Sequence, residues 1–109
     1  MTENTQLIRG ILEGCILAVV NKKESYGYRI VEKLKEYGFS DIHESTVYPI
    51  LNRLEKKGLF IGKRRSSKLG PPRKYYSIST MGIKELGRFE ATWQIIKDNV
   101  NTILKEELN

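Results

Sequence analysis

The last thirty residues of this 109-residue chain carry an apolar repeat that few folds can accommodate. Its members alternate three and four residues apart, like the a and d positions of a coiled coil: Leu86, Phe89, Trp93, Ile96, Val100 and Ile103. A helix that starts after a predicted cap at Thr80 would have roughly 25 residues and span about 40 Å. That is longer than the small core before it. We therefore predict that these side chains pair with a second copy; the alternative is a helix packed within its own chain.

The composition predicts one small globular domain with an added arm. Hydrophobic residues make up 39% and charged residues 29% of the chain, which is too apolar for a disordered protein. One cysteine and one histidine predict no disulfide framework and no metal site built from cysteines or several histidines. The longest apolar run, 15–20, is too short to span a membrane, and the polar segment 1–6 does not resemble a signal peptide. We expect a cytoplasmic protein without a cofactor, a metal or a membrane partner.

The positive charge is concentrated in one stretch of the sequence. The whole chain has a formal charge of +6, but residues 53–74 contain nine lysines and arginines and a single acid. That stretch is therefore +8, which leaves −2 for the remainder. Dense cations suit the neutralisation of phosphates and the release of their counterions, whereas the alternative is a solvated basic loop. We favour a polyanionic partner.

Two helices are predicted before the basic stretch. The first runs from residue 7 to about residue 20, and its second half is apolar on almost every side. This pattern favours burial against both its own core and a second copy, and we assign Leu12 and Ile16 to that dimer interface. The second helix, Tyr26–Tyr37, follows Ser25, which is predicted to cap it.

The third predicted helix has two distinct faces. It is expected to start at a Ser45 cap and to end near Lys57, before Gly58. Helical spacing places four apolar residues on the inner face: Val47, Ile50, Leu51 and Leu54. The outer face can form hydrogen bonds with bases or phosphates through Ser45, Thr46, Tyr48 and Asn52. Three cations extend that surface: Arg53, Lys56 and Lys57.

Two short strands, 59–66 and 73–79, are predicted to form a basic hairpin around a turn at 67–72. Its cations suit contacts with a nucleic-acid backbone: Lys63, Arg64, Arg65, Lys68, Arg73 and Lys74. Three helices and a hairpin in this order form a winged helix-turn-helix, whose third helix enters the DNA major groove. The sequence thus predicts a mainly α fold with a small β-hairpin. A DNA-binding domain would occupy 1–79 and a dimerisation helix 80–109.

Several motifs in the chain resemble those of one known family. They are Leu7-Ile8-Arg9-Gly10, Tyr26-Gly27-Tyr28, Glu44-Ser45-Thr46-Val47-Tyr48-Pro49-Ile50-Leu51, Arg53-Leu54-Glu55-Lys56-Lys57-Gly58, Gly70-Pro71-Pro72-Arg73-Lys74-Tyr75-Tyr76 and Thr80-Met81-Gly82. Together they cover roughly residues 7–87, and they resemble the PadR-like family of bacterial transcriptional regulators. The single short C-terminal helix is similar to the smaller subfamily.

The resemblance implies a homodimeric repressor that binds a palindromic operator in double-stranded DNA and is released by a small molecule. It places eight residues near the DNA: Tyr26, Ser45, Thr46, Tyr48, Pro49, Arg53, Arg73 and Lys74. Some similar proteins hold flat aromatic compounds between interface tryptophans. Trp93, with Phe89 and Ile96, therefore either binds a planar apolar effector or serves only in packing.

Two other functions remain open at this point. A non-specific architectural protein would share the basic hairpin but show little preference for an operator. A protein-interaction adaptor would use the heptad helix to bind a different partner and would itself be monomeric. We do not expect an enzyme, because no carboxylate pair, nucleophile–base set or phosphate-binding glycine loop is recognisable.

Overall fold

The computed structural model describes residues 7–106; residues 1–6, on which the signal-peptide expectation rests, and residues 107–109 lie outside it. The elements, in chain order, are α1 (Leu12–Lys22), β1 (Ser25–Tyr26), α2 (Gly27–Glu36), α3 (Glu44–Lys56), β2 (Phe60–Ser67), β3 (Gly70–Ile78) and α4 (Thr80–Lys105). The predicted fold class, mainly α with a small β-hairpin in a winged-helix arrangement, is confirmed. No helix in this part of the chain is both long and apolar enough to cross a membrane.

The hydrophobic core lies where α1, α2 and α3 pack together. Its most deeply buried side chains come from all three helices and from the loop before α3: Ile16, Leu17, Ile30, Leu34, Ile42, Val47, Leu51 and Leu54. All four α3 residues that were predicted to face inward are buried, so the helical spacing read from the sequence is confirmed. Burial of each such side chain contributes about 1.5–3 kcal/mol to folding.

The first predicted helix is interrupted. Residues 7–8 are helical, the chain turns over 9–11, and α1 begins only at Leu12. The amide of Ile11 donates a hydrogen bond to the carbonyl of Ile8 across this turn, at 2.9 Å. The predicted continuous helix over 7–20 is therefore wrong at its start. Gly10, the poorest helix former of this segment, lies in the break.

Ser25 and Ser45, two of the predicted helix caps, do not cap their helices. Ser25 is buried in β1, where it lies opposite Tyr76 of β3. Ser45 lies inside α3, whose N-cap is His43, with extended backbone and no side-chain cap. The end of α3 agrees with the prediction, since Gly58 has a φ of +79° that suits glycine.

The three strands form an antiparallel sheet in the order β1-β3-β2. The hairpin of β2 and β3 pairs Phe60 with Ile78 and Arg65 with Arg73. The turn predicted over 67–72 is too long, because β3 already begins at Gly70. Residues 71 and 72 are prolines without an amide donor, and they are tolerated where β3 pairs with β2 alone, beside a register irregularity.

Helix α4 packs against the rest of the chain only near its start. Ser79, not Thr80, caps it, since the Ser79 hydroxyl accepts a hydrogen bond from the Gly82 amide at 3.0 Å. Gly82 is buried so closely against the carbonyl of Leu59 that a Cβ there would overlap it. Phe89 packs over Gly14 of α1 in the same way. The helix then continues away from the core, which gives the chain extents of 62 × 30 × 20 Å.

Candidate nucleic-acid interface

The outer face of α3 presents the polar and basic groups that the sequence assigned to it. Helical geometry turns these side chains away from the core once Val47, Ile50, Leu51 and Leu54 are buried. Those fully on the surface are Ser45, Tyr48, Pro49, Asn52, Arg53, Lys56 and Lys57, whereas Thr46 is half-buried. The helix thus offers hydroxyl, amide, phenol and cationic groups side by side on one exposed surface.

Tyr48 is held in place at the junction of α2 and α3. Its ring lies against Gly27, the first residue of α2, where a Cβ would overlap the ring. Its hydroxyl donates to Glu44 Oε1 at 3.5 Å. Burial, followed by the charge of Glu44, raises the pKa of the Tyr48 phenol above its usual value. Tyr48 therefore remains a neutral hydrogen-bonding group, and Gly27 is the residue that makes room for it.

The hairpin carries its cations along both strands, and we call residues 60–78 the wing. Its exposed cations are Lys63, Arg64, Arg65, Lys68 and Arg73, whereas Lys74 is half-buried. In the antiparallel register, Arg64 lies opposite Lys74 and Arg65 opposite Arg73. Like charges directly opposite each other repel. Two kinds of contact offset the charge of the cations on the wing and on the neighbouring end of α3.

The first kind is a stack of rings and guanidinium groups where β1 meets the wing. Tyr26 and Tyr75 lie edge to face with their ring centroids 5.3 Å apart. The Arg73 guanidinium lies over the Tyr26 ring at 4.4 Å, and the Arg65 guanidinium lies over the Tyr75 ring at 4.8 Å. Cation–π contacts of this kind orient a guanidinium over the face of the ring. The structure thus places Tyr26 under Arg73.

The second kind is a set of ion pairs that sequence reasoning missed. Glu13 Oε2 accepts from Arg53 Nη2 at 3.2 Å, and its other oxygen lies 3.7 Å from Lys57 Nζ. Two further glutamates complete the set. They are Glu24, which accepts from Arg65 at 2.6 Å, and Glu55, which lies 2.6 Å from Lys74 Nζ.

Two of these glutamates perturb the groups they contact. The hydrogen bond that Arg65 donates to Glu24 raises the pKa of Arg65, and the one that Lys74 donates to Glu55 raises the pKa of Lys74. Glu13 and Arg53 are 40 residues apart in the chain, and Glu24 and Arg65 are 41 apart. No helical or strand period relates residues at such separations. The sequence pattern therefore does not predict which cations Glu13 and Glu24 contact.

The residues assigned to a dimer interface divide into three groups. Leu12 and Ile16 are buried in the core of the chain, so they offer no exposed surface to a partner. Their assignment is not supported, because the core of the protomer itself covers them. Leu86 and Phe89 are half-buried against α1 and its surroundings. The exposed members are Trp93 (36%), Ile96 (47%), Val100 (47%) and Ile103 (72%).

Phe89 also lines a cleft of about 450 Å³ between α1, α3 and α4. Arg9, Glu13 and Arg53 contribute to its polar wall. Trp93 and Ile96, the other two residues assigned to an effector, lie further along α4 and do not line this cleft. Within one protomer, the three predicted effector residues are therefore not gathered around a common cavity.

A polar third helix next to a basic hairpin defines a winged-helix DNA-binding protein. The family model of the PadR-like transcriptional regulators matches residues 16–88, and the chain belongs to that family. It is thus related to DNA-binding regulators of transcription, a non-enzymatic class of protein.

Solved structures agree with this assignment. A PadR-like transcriptional regulator from Bacillus cereus is 40% identical, with a TM-score of 0.84 over 94% of this chain and 99% of that one. A Streptococcus transcriptional regulator is 41% identical, with a TM-score of 0.80 over 91% and 97%. A PadR family regulator from Eggerthella lenta is 32% identical, with a TM-score of 0.84 over 94% and 88%.

Proposed function

We propose that the protein is a homodimeric transcriptional repressor that binds a palindromic operator in the cytoplasm and is released by a planar apolar effector. The observation that carries this proposal is the exposed apolar face of α4 beyond Phe89, in a chain whose basic α3–wing surface is also exposed. We call Trp93, Ile96, Val100 and Ile103 the α4 seam. A contiguous apolar strip of this kind marks an interaction site, and its heptad spacing suits pairing with an identical helix.

Twofold pairing through the α4 seam would present two copies of α3 to the DNA. Each α3 would enter a major groove, and each wing would follow the adjacent backbone. The two half-sites would then be related by inversion, with their centres about one helical turn apart. A palindromic operator is thus the DNA counterpart of the proposed dimer.

In this proposal, affinity for DNA and preference for one sequence come from two different kinds of contact. Arg73 and Lys74 neutralise phosphates, which adds affinity for every sequence. Asn52 lies exposed on α3 and has the donor and acceptor that match the major-groove edge of adenine. Ser45, Thr46 and Tyr48 lie on the same helix within reach of bases or phosphates.

The effector site would form only in the dimer, where Trp93, Phe89 and Ile96 of both copies could enclose a flat ring. Stacking on the indole and burial of the ligand would supply most of its affinity. Trp93 is the only tryptophan of the chain, so its fluorescence reports directly on this site. A panel of planar aromatic compounds should quench it. Absence of quenching would leave Trp93 with a packing role alone.

Operator selection from random DNA tests the proposal as a whole. We expect the selected sequences to contain an inverted repeat and to bind a dimer. A protein that selects no sequence at physiological salt would instead be an architectural DNA-binding protein. A chain that is monomeric by itself and does not bind DNA would be an adaptor.

Two variants then separate the kinds of contact. Arg73→Ala should weaken binding to all sequences and reduce the salt dependence by about one phosphate equivalent. Asn52→Ala should change the preferred sequence at one position, by about 1–3 kcal/mol. Lys35→Ala, which removes an exposed cation of α2, is the matched control and should change neither property. Equal losses on all sequences for Asn52→Ala would exclude base reading by that residue.

A further inference from the structure

The ion pairs of this protein are divided between two kinds of location. Pairs within one helix join Arg29 to Glu32 and Glu36, Lys33 to Glu36, and Arg88 to Glu85. Pairs that join different elements bring Glu13, Glu24 and Glu55 to cations elsewhere in the fold. All of their cations belong to the α3–wing surface: Arg53, Lys57, Arg65 and Lys74.

These three glutamates come from separate places in the fold, and we call them the paired glutamates. Glu13 lies on α1, Glu24 precedes β1, and Glu55 lies on α3. Each reaches a cation on a different element. Since none is related to another by sequence or by symmetry, their convergence on one surface is not a by-product of a single helix face.

The geometry leaves the cations available to DNA. The side chains of the four paired cations are 35–51% exposed, and those of the paired glutamates are 28–42% exposed. Each carboxylate therefore fixes one side of its cation, while another side remains open to a phosphate. Lys56, Lys63, Arg64, Lys68 and Arg73 have no carboxylate within 4.0 Å in residues 7–106.

We propose that Glu13, Glu24 and Glu55 are positioning residues that raise sequence specificity, by orienting Arg53, Arg65 and Lys74 and by weakening the binding of arbitrary DNA. This inference rests on the proposed function, because it concerns selectivity at the same surface. The nine cations of residues 53–74 are accompanied by these three acids, so these twelve groups together carry +6 instead of the +9 of the cations alone. A cation that no carboxylate holds can rotate onto any nearby phosphate. A cation that a glutamate holds in one orientation can contact only a DNA backbone whose phosphates lie at the matching position. In any other arrangement a DNA phosphate would lie close to a glutamate carboxylate, and the repulsion between these two negative charges opposes it.

Glutamine substitution tests this directly, since it removes the charge and keeps the shape and one acceptor oxygen. Exposed ion pairs contribute little to folding, so the variants should remain folded, which thermal unfolding would verify. We expect Glu13→Gln, Glu24→Gln and Glu55→Gln each to bind random duplex DNA about three- to tenfold more tightly near 100 mM salt. The salt dependence should become steeper by up to about 0.9 per glutamate in a plot of log affinity against log salt.

The selected operator should gain less than random DNA, so that the ratio of the two affinities falls. Glu32→Gln is the matched control, because it removes the same charge from a pair with Arg29, within α2. The aspartate variants retain the charge, and they should bind random DNA no more tightly than the wild type. Random-DNA binding equal to that of Glu32→Gln would overturn the inference, and so would an equal gain on operator and random DNA.

Failure of the proposed function gives a different result. A wild-type protein that selects no operator would contradict the repressor proposal. The random-DNA affinities of the glutamine variants could still be measured, because charge acts on every sequence. Tighter binding and a steeper salt dependence in those variants would then support the inference that the glutamates weaken the binding of arbitrary DNA. The absence of both changes would overturn that inference.

Discussion

Helices α3 and α4 are both amphipathic, but the chain covers the apolar face of one and leaves that of the other exposed. In α3, the four inward residues are at most 9% exposed. In α4, the four residues of the seam are at least 36% exposed. The apolar face of α3 is thus covered by its own chain, and that of α4 stays exposed within the protomer.

The difference follows from where each helix lies. Helix α3 packs against α2 and is joined through Gly58 directly to the sheet, so its apolar face has neighbours on several sides. Helix α4 leaves the core after Phe89 and has 26 residues, a length of about 39 Å. A similar apolar pattern therefore lies against its own chain in one helix and on an exposed surface in the other. The position of a helix in the fold decides whether its apolar face is covered. The sequence of the helix alone does not reveal that position.

The largest expected effect is on α3. Leu51 is fully buried, so Leu51→Ala should lower the free energy of unfolding by about 2–5 kcal/mol, through lost transfer energy and a cavity. Urea unfolding at several protein concentrations measures this, and the loss should be similar at each. Ile103→Ala, an exposed truncation on α4, should leave the protomer itself unchanged. Equal losses for the two variants at low concentration would contradict the contrast between the helices.

The next effect concerns α4. Trp93→Ala removes the largest side chain of the seam and should cost about 2 kcal/mol or more of association, which raises the dimer dissociation constant about 30-fold. Sedimentation equilibrium measures this constant. The matched control is Ile95→Ala, since Ile95 is 62% exposed but lies about a third of a helical turn away from the seam. If both variants weakened association equally, the heptad assignment would be wrong.

A smaller effect tests the junction between the two regions. Ser79 caps α4 and also donates to the carbonyl of Gly58 at 2.6 Å, where α3 ends. Ser79→Ala should therefore lower the free energy of unfolding by about 1 kcal/mol, with up to about 2 kcal/mol expected of the strongest caps. Thr80→Ala alters the residue that the sequence favoured as cap, and thermal unfolding should show little change. The opposite order of effects would restore Thr80 as the cap.

The contrast also shows what a sequence can and cannot predict. Both faces of α3 could be read from it, because a helical period places every relevant residue within thirteen positions. The two-residue strand β1 could not, because it forms only by pairing with Tyr75 and Tyr76, about fifty residues later. The prediction of Ser25 as a cap is wrong for the same reason, because Ser25 pairs with Tyr76 in the sheet.

The candidate site, like the fold, could be predicted only in part from the sequence. Its cations form a dense cluster in one stretch of the sequence, which can be seen without any knowledge of the fold. The acids that hold them are scattered over α1, the loop before β1, and α3, and only tertiary packing brings them there. The dimer assignment failed at Leu12 and Ile16 because an apolar helix near the start of a chain is as well suited to a core as to an interface.

The smallest expected effect on stability is confined to alkaline pH. It should again differ between the winged-helix region and α4. Tyr76 is buried beside Phe60, and burial is the main cause that raises the pKa of its phenol above 10.0, against the opposing influence of Lys74. A raised pKa in the folded state means that Tyr76 contributes its full stabilisation below about pH 10. That contribution is lost as the pH rises through the folded pKa.

Stability should therefore decrease above about pH 10 in the wild type, and Tyr76→Phe should reduce this dependence. Tyr37→Phe is the matched control, because Tyr37 is 60% exposed, and this variant should follow the wild type. Urea unfolding between pH 8 and 11, with dimer dissociation measured separately, checks both variants. Since the α4 seam contains no titrating side chain, alkaline pH should loosen the core and the wing before it separates the helices of a dimer. An identical pH dependence in Tyr76→Phe and Tyr37→Phe would show that the buried phenol is not the group responsible.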